Sequence, residues 1–195
     1  MLVFPRNGSA ALELLQKRRV HVAGIHRSTD RHPERNAQTV RARLGGGHHL
    51  LRVARWEEGI ALPPDDASRS VKSLVRRPRH WAAREPGAGA RECLDEALQG
   101  RRLTGRQVNG HAAVAEAVHA GWADAGVCVR LCAEEAGLNF LPMREEELDF
   151  CFSSAMRHDP RIQGLIRLLR SRDYRRLIGE LPGYDARQTG ELATI

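Results

Sequence analysis

The sequence predicts an α/β protein with mostly parallel sheets flanked by helices. Three observations carry this. Apolar residues recur at helical spacing in segment after segment, short apolar runs stand between those segments, and the two kinds alternate along the chain.

Taken in order, Ala10, Ala11, Leu12, Leu14 and Leu15 form an apolar helical face between Asn7 and Arg19, with Ser9 as its expected N-cap. Val20 to His26 alternates as a short strand does. Pro33 and Glu34 open a second helix that Gly45-Gly46-Gly47 stops near Leu44. His48 to Arg55 reads as a strand, and Gly59 to Leu62 is extended up to the Pro63-Pro64-Asp65-Asp66 break. A short helix is expected at Ser70 to Val75 and a strand at His80 to Arg84. Cys93, Leu94, Ala97 and Leu98 then share one helical face. His111 to Ala120 is the next helix, Ala125 to Val129 a buried strand, and Leu131 to Ala136 a helix closed by Gly137. Leu138 to Pro142 and Leu148 to Ser153 read as two separate extended runs. Two helices follow, one with Ile162, Leu165, Ile166 and Leu169 on a face and one with Tyr174, Leu177 and Ile178, and the tail from Pro182 is polar.

Composition bounds the function. A chain of 195 residues, 42% of them hydrophobic, can bury the core of one domain or of two small lobes. Lys and Arg exceed Asp and Glu by 31 to 24, but the cations are nearly all Arg and are spread along the chain. That spread suits a solvated surface or the steering of an anion, and nonspecific nucleic-acid binding would need a contiguous basic face. The start, Met-Leu-Val-Phe-Pro-Arg-Asn-Gly-Ser, lacks a basic segment followed by an apolar one, so a cytoplasmic location is expected. No apolar run is long enough for a membrane span.

Cys93, Cys128, Cys132 and Cys151 lack zinc spacing and read as reduced core thiols. His48-His49 and the other histidines form no metal motif, and neither a Gly-x-Ser-x-Gly elbow nor a Gly-Lys-Ser/Thr phosphate loop occurs. An enzyme is not expected, and neither is a cofactor. The most suggestive segment is Gly87-Ala88-Gly89-Ala90-Arg91, between a strand and a helix. Small residues there let backbone N–H groups and the helix dipole meet an anion, with Arg91 adding a charged contact. Gly110-His111 opens a second helix and Gly8-Ser9 a third. Each equally suits plain capping or packing. Asp124 is better explained by fixing its own turn than by ionising at a site.

Residues His111-Ala-Ala-Val-Ala-Glu-Ala-Val118 and Gly121-Trp-Ala-Asp124-Ala-Gly126 resemble a pattern of molybdate-binding-like domains in the periplasmic-binding-protein superfamily. Val22 to His26, Trp56 to Ile60, Gly87 to Arg91, Leu138 to Pro142 and Leu181 to Gly190 fit in the same order. The resemblance implies a two-lobed, type II binding fold. Lobe one would be 1–58 with 148–195, lobe two 59–147, the chain crossing near Gly59 to Pro63 and near Pro142 to Phe150. A tetrahedral oxyanion, molybdate or a relative, would sit between the lobes, held by Ser9, Gly87, Ala88, Gly89, Ala90, Arg91, Gly110 and His111.

This sequence departs from the family in two ways. Ala88 and Ala90 replace hydroxyl residues, and the chain starts one strand–helix unit later than the family does, as a chain truncated at its N-terminus would. The expected function is noncatalytic binding of a small anionic solute for sensing or uptake, with a homodimer mate or a DNA-binding or transport partner carrying the consequence. The alternative is a regulatory or scaffolding protein with a vestigial cleft, acting through oligomerisation.

Overall fold

The computed structural model describes residues 2–195. In chain order the elements are α1 (Gly8–Gln16), β1 (Ala23–Thr29), α2 (Arg35–Leu44), β2 (His48–Leu62), α3 (Val71–Leu74), β3 (Trp81–Arg84), α4 (Gly89–Leu98), β4 (Gly105–Val108), α5 (His111–His119), β5 (Ala125–Val129), α6 (Arg130–Glu135), β6 (Asn139–Ser153), α7 (Pro160–Arg170), α8 (Arg172–Gly179), β7 (Tyr184–Asp185) and β8 (Leu192–Thr194). The chain divides into two compact units, Met1–Trp56 with Glu146–Ile195, and Glu57–Glu145. It passes from the first to the second within β2 and returns within β6.

In the first unit the strands run β1-β6-β2, and β7 and β8 pair antiparallel with β2. β1 and β6 are antiparallel, from Ala23 opposite Cys151 to Thr29 opposite Glu146. Side chains alternate across a strand, so each strand feeds two cores. Leu50 and Cys151 pack with Leu12, Leu15, Ile25 and Val40 on the face covered by α1 and α2. Their neighbours Leu51 and Phe152 pack with Ile162, Ile166 and Leu169 on the face covered by α7. α1 starts where Asn7 Oδ1 accepts the Ala10 N–H at 3.0 Å. The expected N-cap, Ser9, is therefore already inside the helix, because Asn7 stands three residues before a free N–H in extended backbone.

β6 carries buried carboxylates between β1 and β2. Glu147 and Asp149 share a face, and Arg52 of β2 binds both, at 2.7 and 2.6 Å. Asn36 donates to Asp149 at 2.7 Å, and Arg55 lies 3.4 Å from Glu147. Glu146 points the other way, 2.9 Å from His26 Nδ1, and accepts the Trp56 indole N–H at 3.3 Å. Burial opposes the Arg52 charge, but Asp149 and Glu147 outweigh it and hold the guanidinium above its ordinary pKa. The tail, polar as read, is bound to β2 all the same. Thr189, fully buried, donates to the Val53 carbonyl at 2.9 Å, and the Gly190 N–H donates to Arg52 at 2.8 Å.

In the second unit β5, β3 and β4 are parallel neighbours, and β5 pairs antiparallel with β2, Glu58 opposite Val129. Alternation again makes two cores. Ile60, Trp81 and Val127 pack with Cys93 and Leu94 of α4. Ala61, Ala82 and Cys128 pack with Val114 and Val118 of α5.

The fold class is α/β, as the alternation of segments predicts. β5-β3-β4 are parallel, whereas β1 pairs antiparallel with β6, and β5, β7 and β8 with β2, so the sheets are mixed where mostly parallel ones were expected. A helix crossover between neighbouring strands enforces parallel pairing, as α4 does between β3 and β4, and α5 then carries the chain past β3 to β5 on its other side. β6 is one strand where two were read, and β4 was not foreseen.

Candidate functional site

A candidate site lies at one edge of the second unit, at the C-terminal ends of its parallel strands. In open parallel sheets this is the edge at which the following helices begin and ligands collect. β3 and β4 end in register, Arg84 opposite Val108, and each leads within a few residues into a helix. The turns Gly87–Arg91 and Gly110–His111 therefore leave the same edge from adjacent strands. The first N–H groups of a helix lack partners within it and the dipole places partial positive charge there, though in α4 those of Arg91 and Glu92 already close on the Ala88 carbonyl at 3.1 Å. Neither α4 nor α5 has a side-chain cap.

The local sequence produces each turn. In Glu85-Pro86-Gly87-Ala88 the Ala88 N–H closes on the Glu85 carbonyl at 3.2 Å, with Pro86 second and Gly87 third at φ +85°. That is a type II pattern, which asks for glycine in the third place. Gly110, at φ 94° and ψ 155°, occupies backbone space that only glycine uses freely. His111, half-buried, is the first residue of α5.

The side chains at this edge differ from the expectation. Ala88 and Ala90 are 2% and 1% exposed, and Ala90 packs in the α4 core, so these methyls face protein. Arg91 lies back along its own helix, with Nε 3.0 Å from both Asp95 oxygens and Nη1 3.4 Å from the Arg84 carbonyl. Arg84 is bidentate to Glu85 at 2.9 and 3.1 Å.

Two cations were not singled out from the sequence. Arg130 follows β5 directly, pairs with Glu57 and Glu134, and lies 4.8 Å over the Phe140 ring. Burial opposes its charge, but Glu57 and Glu134 prevail and raise its pKa. Arg144 of β6 is bound to Glu58, which is fully buried. Each of these arginines thus has a carboxylate partner. An Arg immediately after a wholly apolar strand was the signal available for Arg130. Arg144 lay in a polar run that did not read as strand.

Ser9 belongs to the first unit, apart from this edge, where its hydroxyl accepts from Arg27 at 3.3 Å. Asp124 fixes its turn: its carboxylate accepts the His80 N–H at 2.7 Å and its own N–H donates to His80 at 2.8 Å. None of the four cysteines is in a disulfide. Burial pushes Cys128 and Cys151 up to about 12, and a thiol so held is a poor nucleophile. Among the described residues no group of three or more His, Cys, Asp or Glu is placed to hold a metal, and no helix is long and apolar enough to cross a membrane.

A model of the PBP superfamily domain matches residues 1–170. The uncharacterized protein YvgK of Bacillus subtilis is 30% identical over 128 residues, covering 62% of this chain and 41% of that protein. The match thus spans less than half the length of this curated relative. A Clostridium perfringens protein described as a phosphate ABC transporter substrate-binding protein, solved with bound phosphate, superposes with a TM-score of 0.70 at 8% identity, over 97% of this chain and 85% of its own. PhnD1 of Prochlorococcus marinus, in complex with methylphosphonate, does so with a TM-score of 0.64 at 9% identity, over 98% and 78%. At such identities the likeness is one of fold.

Proposed function

This chain belongs to the PBP superfamily, and from that membership we propose that it binds a small anionic solute reversibly, without bond chemistry, where α4 and α5 begin. The observation that carries this reading is the in-register exit of β3 and β4 into two helices that lack side-chain caps. Two helix starts side by side offer a tetrahedral oxyanion several N–H donors and no competing carboxyl cap. The solutes in the two solved structures, phosphate and methylphosphonate, are of this class, and so is the molybdate that the sequence pattern suggests. Sensing or uptake would follow through a partner.

The test is thermal unfolding against phosphate, methylphosphonate, molybdate, tungstate, sulfate and small carboxylates. A ligand at 100 times its dissociation constant adds about 2.7 kcal/mol to the native state, a shift easily read. A shift with one oxyanion supports the reading and names the solute. No shift at millimolar concentrations sinks it.

A second reading, an interaction protein with a vestigial site, draws on the buried alanines at 88 and 90 and on the arginines already matched by carboxylates. It expects no ligand shift together with a stable oligomer by light scattering.

A further inference from the structure

We propose that Arg144 is the positioning residue of the anion turn: it grips the carbonyl of Gly89 and thereby aims the next N–H, that of Ala90, out of the helix start. The argument rests on peptide geometry. Gly89 C=O and Ala90 N–H belong to one planar trans unit, so they point in opposite directions, and fixing one fixes the other. Arg144 Nη2 donates to Gly89 O at 3.0 Å. The same guanidinium is held from the other side by Glu58, with Nε at 3.0 Å and Nη2 at 2.9 Å from one carboxylate oxygen, and Nη1 lies 3.4 Å from Glu96.

The grip is well anchored. Glu58 is fully buried and Arg144 only 14% exposed, and Glu58 stands on β2 opposite Val129, the last residue of β5. The carboxylate therefore cannot swing away without leaving two charges short of partners, which is strongly unfavourable in a buried site. Arg144 thus ties the first peptide of α4 to the strand along which the chain enters this unit. Its donation also polarises that peptide, making the Ala90 N–H a better donor to an anion. Lysine cannot reproduce this, because a single ammonium has no planar fork with which to hold a carboxylate and a carbonyl at fixed angles.

That Arg144 sets oxyanion affinity rests on the function proposed above. That it holds the Ala90 peptide does not. The experiment therefore has two readouts on the full chain, in Arg144→Gln and Arg144→Lys: hydrogen exchange at the first amides of α4 without ligand, and calorimetric titration with inorganic phosphate and molybdate. Expected are tenfold or faster exchange at Arg91 and Glu92, whose N–H groups close on the Ala88 carbonyl at 3.1 Å, in both variants, and at least tenfold weaker binding of whichever oxyanion the unaltered protein takes. Unchanged exchange at these two amides overturns the proposal, even if binding weakens. So does unchanged binding when the unaltered protein binds. If the unaltered protein takes neither ion while exchange at these amides quickens, the positioning role stands and the oxyanion reading falls. Should Arg144→Gln fail to fold, Arg144→Lys, which keeps the charge beside Glu58, carries both readouts.

Discussion

The two units place their charges differently. In the second, charged pairs stand at the ends of the strands, those of Arg130 and Arg144 where helices begin and that of Arg79 with Asp66 before the start of β3, and the sheet between them is apolar on both faces. In the first, β6 brings Glu146, Glu147 and Asp149 into the interior between two other strands, where each is 6% exposed or less. The second unit buries one such carboxylate, Glu58, matched by Arg144, whereas the first buries three and ties them together through Arg52, Arg55, His26 and Trp56. The first unit thus rests on a polar network, and the second mainly on packing.

The largest effect that would break this contrast is Arg52→Met. It leaves Glu147 with Arg55 and Asp149 with Asn36, and removing one partner of a buried ion pair costs about 3–5 kcal/mol. Urea unfolding checks it, and a loss below about 1 kcal/mol on that scale would show that the network is incidental.

Alkaline pH sharpens the comparison next, because each unit holds a thiol whose pKa burial raises strongly. Cys128 and Cys151 ordinarily titrate near 9.0 and are pushed up to about 12 by burial, aided by Cys132 and Glu58 for the first and by Asp149 for the second. A folded pKa above the unfolded one means that stability is complete below pH 9.0 and falls as pH rises toward about 12. The slope is at most roughly 1.4 kcal/mol per pH unit for each thiol. Unfolding curves from pH 8 to 11 should show the decline, and Cys128→Ala should flatten it.

Gly110→Ala forces a Cβ into backbone space reserved for glycine, at an expected cost of about 1–3 kcal/mol, and shifts the α5 start, so oxyanion binding should fall with it. Normal thermal stability in this variant would show that the turn relaxes. Smallest is Asn7→Ala, which removes the α1 cap for about 1 kcal/mol and, lying in the other unit, should leave binding at α4 and α5 unchanged. Calorimetric titration decides that point.

Much of the architecture was legible because it follows from periodicity. Ala125 to Val129 is found with the bounds read from its apolar run, and the helix faces at Leu94, Val114 and Ile162 are buried as their spacing implies. What escaped was structure that depends on distant partners. Arg144-Glu145-Glu146-Glu147 reads as a loop because four charges in a row normally stay in water. It is strand because Arg52, His26, Trp56 and Glu58 supply partners from other parts of the chain. β4 is mostly exposed and polar, so no pattern marks it. The tail reads as polar since its pairing with β2 uses backbone groups and polar side chains, the hydroxyls of Thr189 and Thr194 and the amide of Gln188. At the candidate site the glycines were visible and their turn type followed from Pro86-Gly87. That Arg91 pairs with Asp95 follows from their i,i+4 spacing on α4, a signal not drawn on, whereas no local spacing could reveal that Arg144 reaches Gly89.

One feature bears on how the chain is made. The second unit is inserted within the first, and Arg52 meets Asp149 across 97 residues of sequence. At synthesis rates of about 5–20 residues per second, Arg52 waits roughly 5–20 s for its carboxylates to be made. During that interval β2 has neither β6 beside it nor the tail strands β7 and β8. The inserted unit, 57–145, is made before Glu147 and Asp149 and before the tail strands, so its apolar cores are expected to assemble first. A nascent chain halted once Glu145 has emerged from the ribosome should therefore show a protease-resistant second unit while its first 56 residues are still digested.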